Sequence, residues 1–235
     1  GKRTNFCARS VIGADPKISI DEVGVPQRVA KVLTMPITVT ATNINELSRY
    51  VKNGRNIYPG ANYIKQKNRN SSNKRMFIDL KNARSVIKLH IGDIVERHLL
   101  DGDPCLMNRQ PSLHKLSILC HRIRVIEDAT ISPFRLNVNV TVPYGADFDG
   151  DEMNMYIAQS PQEVIENLML AHVDKHILTP CYSKPIIYLK QDTPAGIYLM
   201  TESKQTIKWH DAMKMAIHIE GFDMSRLTKK DITSY

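Results

Sequence analysis

The stretch at 144–154 reads Tyr-Gly-Ala-Asp-Phe-Asp-Gly-Asp-Glu-Met-Asn, and no other part of the chain restricts the fold as tightly. Asp147, Asp149 and Asp151 alternate with Phe148 and Gly150. In an extended segment, residues two apart share a side, so the three carboxylates converge and Phe148 points the other way, toward a core. Gly150 lets the backbone bend sharply and come close to a ligand. Three adjacent carboxylates repel, and without a cation at least one pKa rises. A hard divalent cation removes that cost. Magnesium takes a few carboxylates and keeps water and phosphate oxygens as its other ligands, so it suits such a cradle.

The residues before the loop read as its support. Over 134–142, Phe134, Leu136, Val138, Val140 and Val142 fall on one side, and Arg135, Asn137, Asn139 and Thr141 on the other. That alternation predicts a half-buried strand, ended by Pro143. A rigid strand there fixes the carboxylates in place. Alternation also predicts strands over 86–91 and over 117–125, the latter with Ile123 and Val125 inward and Arg122 and Arg124 outward. Residues 76–80 and 153–157 read as strands, and Ile18 and Ile20 as part of a short one. Pro26 suits the first turn of a short helix with Val29, Val32 and Leu33 on its apolar face. Asn-Ile-Asn-Glu at 43–46 and Ser-Pro-Gln-Glu at 160–163 read as capping boxes that open helices, the first stopping at Gly54. His172 then falls on a helix face and not at a ligand position. Residues 184–193 predict a strand and a turn, and 211–219 a short helix. The stretch 65–75 carries five cations and no aromatic, which reads as an exposed loop, since single-strand binders interleave aromatics for stacking.

Two more groups carry chemistry. At 108–115 the chain reads Asn-Arg-Gln-Pro-Ser-Leu-His-Lys. Arg109 can fork onto a phosphate or onto ribose oxygens, and Pro111 stiffens the loop. His114 alone reads as structural. At 1–12, Lys2, Arg3 and Arg9 lie among small and polar residues, either as a phosphate-contacting segment or as a solvated terminus. The net charge of +8 favours a polyanionic partner, nucleic acid first. An acidic triad embedded in a basic chain suits a metal site that faces phosphates. Hydrophobic residues make up 42%, enough for a core, and no run approaches the ~20 apolar residues of a membrane span. The start has no apolar stretch of a signal peptide and no initiator Met, which reads as a piece of a longer protein. Cys7, Cys105, Cys120 and Cys181 form no C-x-x-C pair, so they read as reduced, mostly buried thiols of an intracellular protein and not as a zinc site.

These blocks resemble the largest, catalytic subunit of multisubunit DNA-dependent RNA polymerases, in its eukaryotic, archaeal and large-DNA-virus style. Ala-Asp-Phe-Asp-Gly-Asp-Glu-Met-Asn at 146–154 is similar to that family's catalytic magnesium loop. The stretch 108–115 is similar to the family's Asn-Arg-Gln-Pro-Thr-Leu-His-Lys and differs only at Ser112. The first nine residues resemble Gly-Lys-Arg-x-x-Phe-x-Ala-Arg of a switch region that touches template DNA. Residues 184–201 are similar to the Lys-Pro, Gln-Asp and Met-Thr stretch that begins the pore or funnel region. The four blocks follow the family's order.

The resemblance implies a mixed α+β fold. A double-psi β-barrel active-site domain would span 1–177, with the switch segment and the magnesium loop, and the start of a pore or funnel domain would span 178–235. It implies Mg2+ held by Asp147, Asp149 and Asp151 as the catalytic residues, with a second ion arriving with the nucleotide. Arg109 would lie beside the ribose of the RNA 3′ end and the incoming nucleotide, with Gln110 and Pro111 close by. Lys2, Arg3 and Arg9 would contact template DNA. The implied reaction is template-directed addition of ribonucleotides to the RNA 3′ end with release of pyrophosphate. In two-metal chemistry one ion activates the attacking oxygen and the other stabilises the leaving one. Glu152 reads as a solvated or secondary acid.

Implied partners are the second-largest and smaller polymerase subunits, template DNA, nascent RNA and ribonucleoside triphosphates, with no membrane. The implied location is intracellular: the nucleus for a cellular eukaryotic enzyme, the cytoplasm or the virion and viral factory for a large DNA virus. The family's bridge helix and trigger loop are not reached, so the isolated chain is expected not to synthesise RNA. The family usually carries Asn where this chain has Gly145, which shifts ribose reading toward Arg109. Three other classes compete. An EF-hand counted from Asp147 would need Gly at position six and Glu at position twelve, where Glu152 and Ala158 stand. A magnesium-dependent aspartyl-phosphate phosphatase would use an Asp-x-Asp after a strand, but a downstream Lys and acidic pair cannot be placed. A non-catalytic nucleic-acid-binding module explains the charge and leaves the triad unexplained.

Overall fold

The computed structural model describes residues 2–67, 75–81, 87–190, 192–202, 207–219 and 222–223. They fall into two units, 1–188 and 189–235. The strands, in order, are Cys7–Ala14 (β1), Glu22–Pro26 (β2), Thr34–Thr38 (β3), Ala61–Lys67 (β4), Arg75–Asp79 (β5), Ile94–His98 (β6), Pro104–Asn108 (β7), Ile118–Ile126 (β8), Phe134–Leu136 (β9) and Glu152–Ile157 (β10). Six of them close into a barrel in the order β1-β10-β7-β8-β2-β9. Its pairings are mixed: β9 runs parallel to β1 and β2 parallel to β8, while the remaining pairs are antiparallel. The interior is filled by Val23, Val25, Met107, Leu119, Ile123, Phe134, Leu136, Met153, Met155 and Ile157, all buried. Closure leaves no open sheet edge and gives the acidic loop a stiff base.

The other four strands form an antiparallel sheet, β3-β6-β4-β5. The helix Ile44–Asn53 covers it through Leu47 and Val51, and a separate core of Val39, Ala61, Ile64, Leu80, Leu89 and Val95 lies between. Gly54 stops that helix with a left-handed φ of 66°. In the second unit, the helices Asp192–Glu202 and Trp209–Ala216 are the regular elements among the described residues. No helix among the described residues is long and apolar enough to cross a membrane.

Several expected elements take another form. The strand over 134–142 is extended only at β9. Asn137 Oδ1 accepts the Asn139 N–H at 3.0 Å, and the chain then turns through a 3-10 segment, Val138–Val140, and a helical turn, Thr141–Tyr144. An Asn side chain that captures an amide two residues on offers the backbone an alternative to the sheet ladder. Residues 87–91 form no strand, and 82–86 lie outside the described residues. The buried Asp93 carboxylate instead takes the amides of His90 (2.9 Å) and Lys67 (3.1 Å). Ile18 and Ile20 precede a strand and do not form it; β2 uses the apolar run at 23–26, because neighbours on both edges and faces bury it.

The helix Gln27–Val32 buries Ala30 and leaves Val32 65% exposed, so its inner face is Val29, Ala30 and Leu33. Asn43 makes no capping bond; its side chain is engaged with Thr40 N–H and Thr38 C=O. The box at Ser160 does form, Oγ accepting the Glu163 amide at 3.2 Å. The helix Pro161–Glu166 then widens into a π segment, Asn167–Ala171. His172 follows in extended conformation and is buried, not on a helix face. Among 184–190 there is one isolated bridge, Leu178 to Pro185, and no strand; Gln191 lies outside the described residues. Residues 68–74 of the basic loop also lie outside them, between β4 and β5. Of the four thiols, Cys105 and Cys120 are buried and Cys7 and Cys181 exposed, all free.

Candidate metal centre

The loop begins where the helical turn at 141–144 ends. Gly145 adopts φ 58° and ψ 30°, and its amide returns to Val142 C=O at 3.0 Å. This is the left-handed C-terminal stop that glycine adopts at little cost. Directly before it, Tyr144 is buried and its hydroxyl pairs with His121 Nε2 of β8 at 2.8 Å. Burial pushes His121 down to about 3, so the imidazole is neutral and acts as a hydrogen-bonding post under the loop. Ala146 is buried, and Phe148 packs partly buried against the barrel core as its alternation required. On the far side the Asp151 carbonyl accepts the Ile12 amide at 3.0 Å, and β10 begins. Both ends of the loop are therefore tied to barrel strands.

One carboxylate oxygen from each of Asp147, Asp149 and Asp151 lies within 4.8 Å of the others. Asp147 and Asp149 are exposed and Asp151 is partly covered. Their electrostatics differ. A carboxyl hydrogen bond with Asp149, then burial and the charges of Asp149 and Asp151, raise the pKa of Asp147. Asp151 is held below the usual carboxylate range, first by a hydrogen bond from Arg109. Arg109 Nε donates to Asp151 Oδ2 at 2.8 Å, and the Asp147 amide donates to the same oxygen at 3.2 Å. Asp151 Oδ1 makes neither contact. The donor set is all oxygen, converging and mutually repulsive, which fits a hard divalent cation.

The sequence picks out Arg109 by its fork but does not connect it to Asp151, because the two residues are 42 positions apart. The register explains the meeting: β10 pairs with β7, with Asn154 opposite Asn108, so the start of β10 and the end of β7 lie side by side. Gln110 and Pro111 are exposed just beyond, joined by a cis peptide bond. Lys2, Arg3 and Arg9 line a cleft of about 800 Å³ together with Asn108, Gln110, Asn154 and Tyr156. Arg9 does not project freely: its Nε is 2.6 Å from Glu152 Oε2, so Glu152 is a partner and not a free acid. The sequence does not connect Tyr144 with His121, because a buried His–Tyr pair leaves no periodic signal.

A closed, mixed six-stranded barrel with a carboxylate loop between β9 and β10 is consistent with the double-psi class of β-barrels. Residues 1–173 match the family model described as RNA polymerase Rpb1, domain 2. The chain belongs to that family. It is 46% identical over 217 residues to DNA-directed RNA polymerase subunit 1 of Acanthamoeba polyphaga mimivirus, covering 92% of this chain and 14% of the relative. It is 45% identical over 232 residues to subunit Rpo1N of Thermococcus celer, covering 98% and 25%. It is 48% identical over 202 residues to RNA polymerase III subunit RPC1 of Saccharomyces cerevisiae, covering 86% and 13%. The chain thus spans between an eighth and a quarter of the length of these curated relatives.

Proposed function

We propose that this chain is the catalytic-centre portion of a DNA-directed RNA polymerase, in which Asp147, Asp149 and Asp151 hold Mg2+ for addition of ribonucleotides to an RNA 3′ end. The observation that carries the proposal is the convergence of the three carboxylates beside Arg109, on a loop anchored at both ends to a closed barrel. A bound magnesium supplies positive charge where the phosphoryl oxygens gain negative charge. The chain's own residues do the rest. Arg109 and the Asp147 amide fix the Asp151 carboxylate, and Arg109 Nη1, 4.0 Å from where a Gly145 Cβ would stand, is a donor that can meet a ribose or phosphate oxygen. Gln110 and Pro111 follow Arg109 directly in the chain, and Gln110 lines the adjacent cleft. Lys2, Arg3 and Arg9 give the adjacent cleft a basic wall for a nucleic-acid backbone.

The reaction, its substrates, and the partners at this face belong to the proposal. They include the second-largest and smaller subunits, template DNA and nascent RNA. The division into an active-site domain over 1–177 and the start of a pore or funnel domain from 178 is proposed in the same sense, as is an intracellular place of action. We propose that the isolated chain, an eighth to a quarter of the length of these relatives, synthesises no RNA by itself. A phosphatase with Asp-x-Asp directly after a strand is disfavoured, because a helical turn precedes Asp147.

The test has two arms. In the assembled polymerase, Asp149→Asn is expected to abolish template-directed extension while subunit assembly is retained. In the 235-residue chain, Mn2+ bound at the triad should broaden resonances at 147–151 and lose that effect in the same variant. Extension at parental rate, or Mn2+ broadening that is unchanged, overturns the assignment.

A further inference from the structure

We propose that Asp21, His172 and Asp174 form a second metal site, one that takes a borderline divalent transition ion such as Zn2+ or Co2+ in preference to Mg2+. A ring nitrogen of His172 and one carboxylate oxygen of each aspartate lie within 4.8 Å of one another. The His172 ring is the unusual member. The residue is only 5% exposed, and Nδ1, the ring nitrogen turned to Asp174, makes no hydrogen bond among the described residues. Nδ1 faces Asp174 Oδ2 at 3.3 Å. That is longer than the roughly 2.7–3.2 Å of an N–H···O bond. It matches the ligand-to-ligand edge, about 3.3 Å, of a tetrahedron with the roughly 2.0 Å bonds that zinc makes to nitrogen and carboxylate oxygen.

The arms of the site are held by the barrel. The Asp21 carbonyl accepts the Arg122 amide of β8 at 2.7 Å, and His172 forms a parallel bridge with Cys120 of the same strand. The Asp174 side chain is 56% exposed, which leaves an entry path and room for a water as a further ligand. Arg122 Nε approaches Asp21 at 3.7 Å, so one of the two carboxylates has a weak counter-charge, and among the described residues the other is paired with the imidazole. An imidazole with two carboxylates suits zinc, cobalt or iron, whereas magnesium favours oxygen donors alone. A bound ion would staple the β1–β2 connection to the segment that follows the π turn. This inference does not depend on the assignment of the 147–151 loop, and no polymerase reaction is needed to test it.

The experiment uses the 235-residue chain with Asp147→Asn, Asp149→Asn and Asp151→Asn, which silences the acidic loop. Titration with Co2+ alone should give a visible d–d band saturating at a single equivalent, displaced by Zn2+ and not by Mg2+. Adding Asp174→Asn, an exposed position that leaves the core untouched, should weaken Co2+ by more than the roughly 10–100-fold that loss of a mere supporting partner costs. His172→Gln should do the same. Zn2+ should raise the melting temperature of the parent and leave that of the Asp174→Asn form unchanged. Absence of Co2+ binding overturns the proposal. So does a band that survives both substitutions, which would belong to the exposed Cys7 or Cys181 thiols, or a simple His172–Asp174 ion pair that titrates identically with and without Zn2+.

Discussion

Arg109 gives Asp151 a cation at 2.8 Å, while Asp147 has only other carboxylates beside it. Protons and metal ions therefore compete at Asp147 first. Its carboxyl ionises above the ordinary value of 3.8, so metal affinity is expected to fall on acidification at a higher pH than an isolated aspartate would dictate. Asp149→Asn removes the carboxyl partner that contributes most to that rise. A carbon-13 titration of the side-chain carboxyls should then show the Asp147 midpoint moving down, and an unmoved midpoint would reject the coupling. Gly145 can be tested on its own terms. A Cβ built there comes no closer than 4.0 Å, to Arg109 Nη1, so a Cβ is accommodated, and Asn is the side chain that best tolerates its left-handed φ. Gly145→Asn is expected to leave folding nearly unchanged and to raise the preference for ribonucleotides over deoxyribonucleotides in the assembled enzyme. An unchanged selectivity ratio would show that no sugar contact is made from this position.

The helical turn at 141–144 and the box at 160–163 show two ways in which short elements are made. In the first, Asn137 and Gly145 punctuate the chain at either end, and a run of alternating valines is folded into a turn between them. In the second, Ser160 Oγ accepts the free Glu163 amide, and the Glu163 carboxylate accepts the Gln159 amide at 3.0 Å and the Tyr156 hydroxyl of β10 at 2.7 Å. Ser160→Ala is expected to cost about 1 kcal/mol, read as a lower urea midpoint with an unchanged slope. The box was legible because its residues are contiguous. The turn was not, because alternation of apolar residues looks the same whether a pleat or a mix of turns buries them.

Taken whole, the barrel and the sheet each bury a histidine that stays neutral. Burial first, and nearby cations or His172 second, push His98 down to about 4 and His121 down to about 3. The folded values lie below the unfolded one of 6.5, so the unfolded chain takes up these protons first. Stability is complete above pH 6.5 and is lost as pH falls, through about 4 for His98 and about 3 for His121. Each group contributes a slope of about 1.4 kcal/mol per pH unit inside its window. Chemical denaturation at pH 7, 6 and 5 should show this decline, and His121→Gln should flatten it by one proton's worth. A pH-independent midpoint would mean that water already reaches these rings.

The sequence by itself determined the acidic loop, its alternation with Phe148, the pairing of a basic chain with an acidic site, and the family, because each is carried by residues close together. It also determined β8, β10 and the Ser160 helix, where period and capping agree. Only the tertiary structure decided that 134–142 turns after Leu136, that Arg109 meets Asp151, that His121 supports Tyr144, and that Asp21 faces His172 and Asp174. Those facts depend on which strands neighbour each other around a closed barrel. Strand order there follows from long-range burial and register, which local periodicity does not encode.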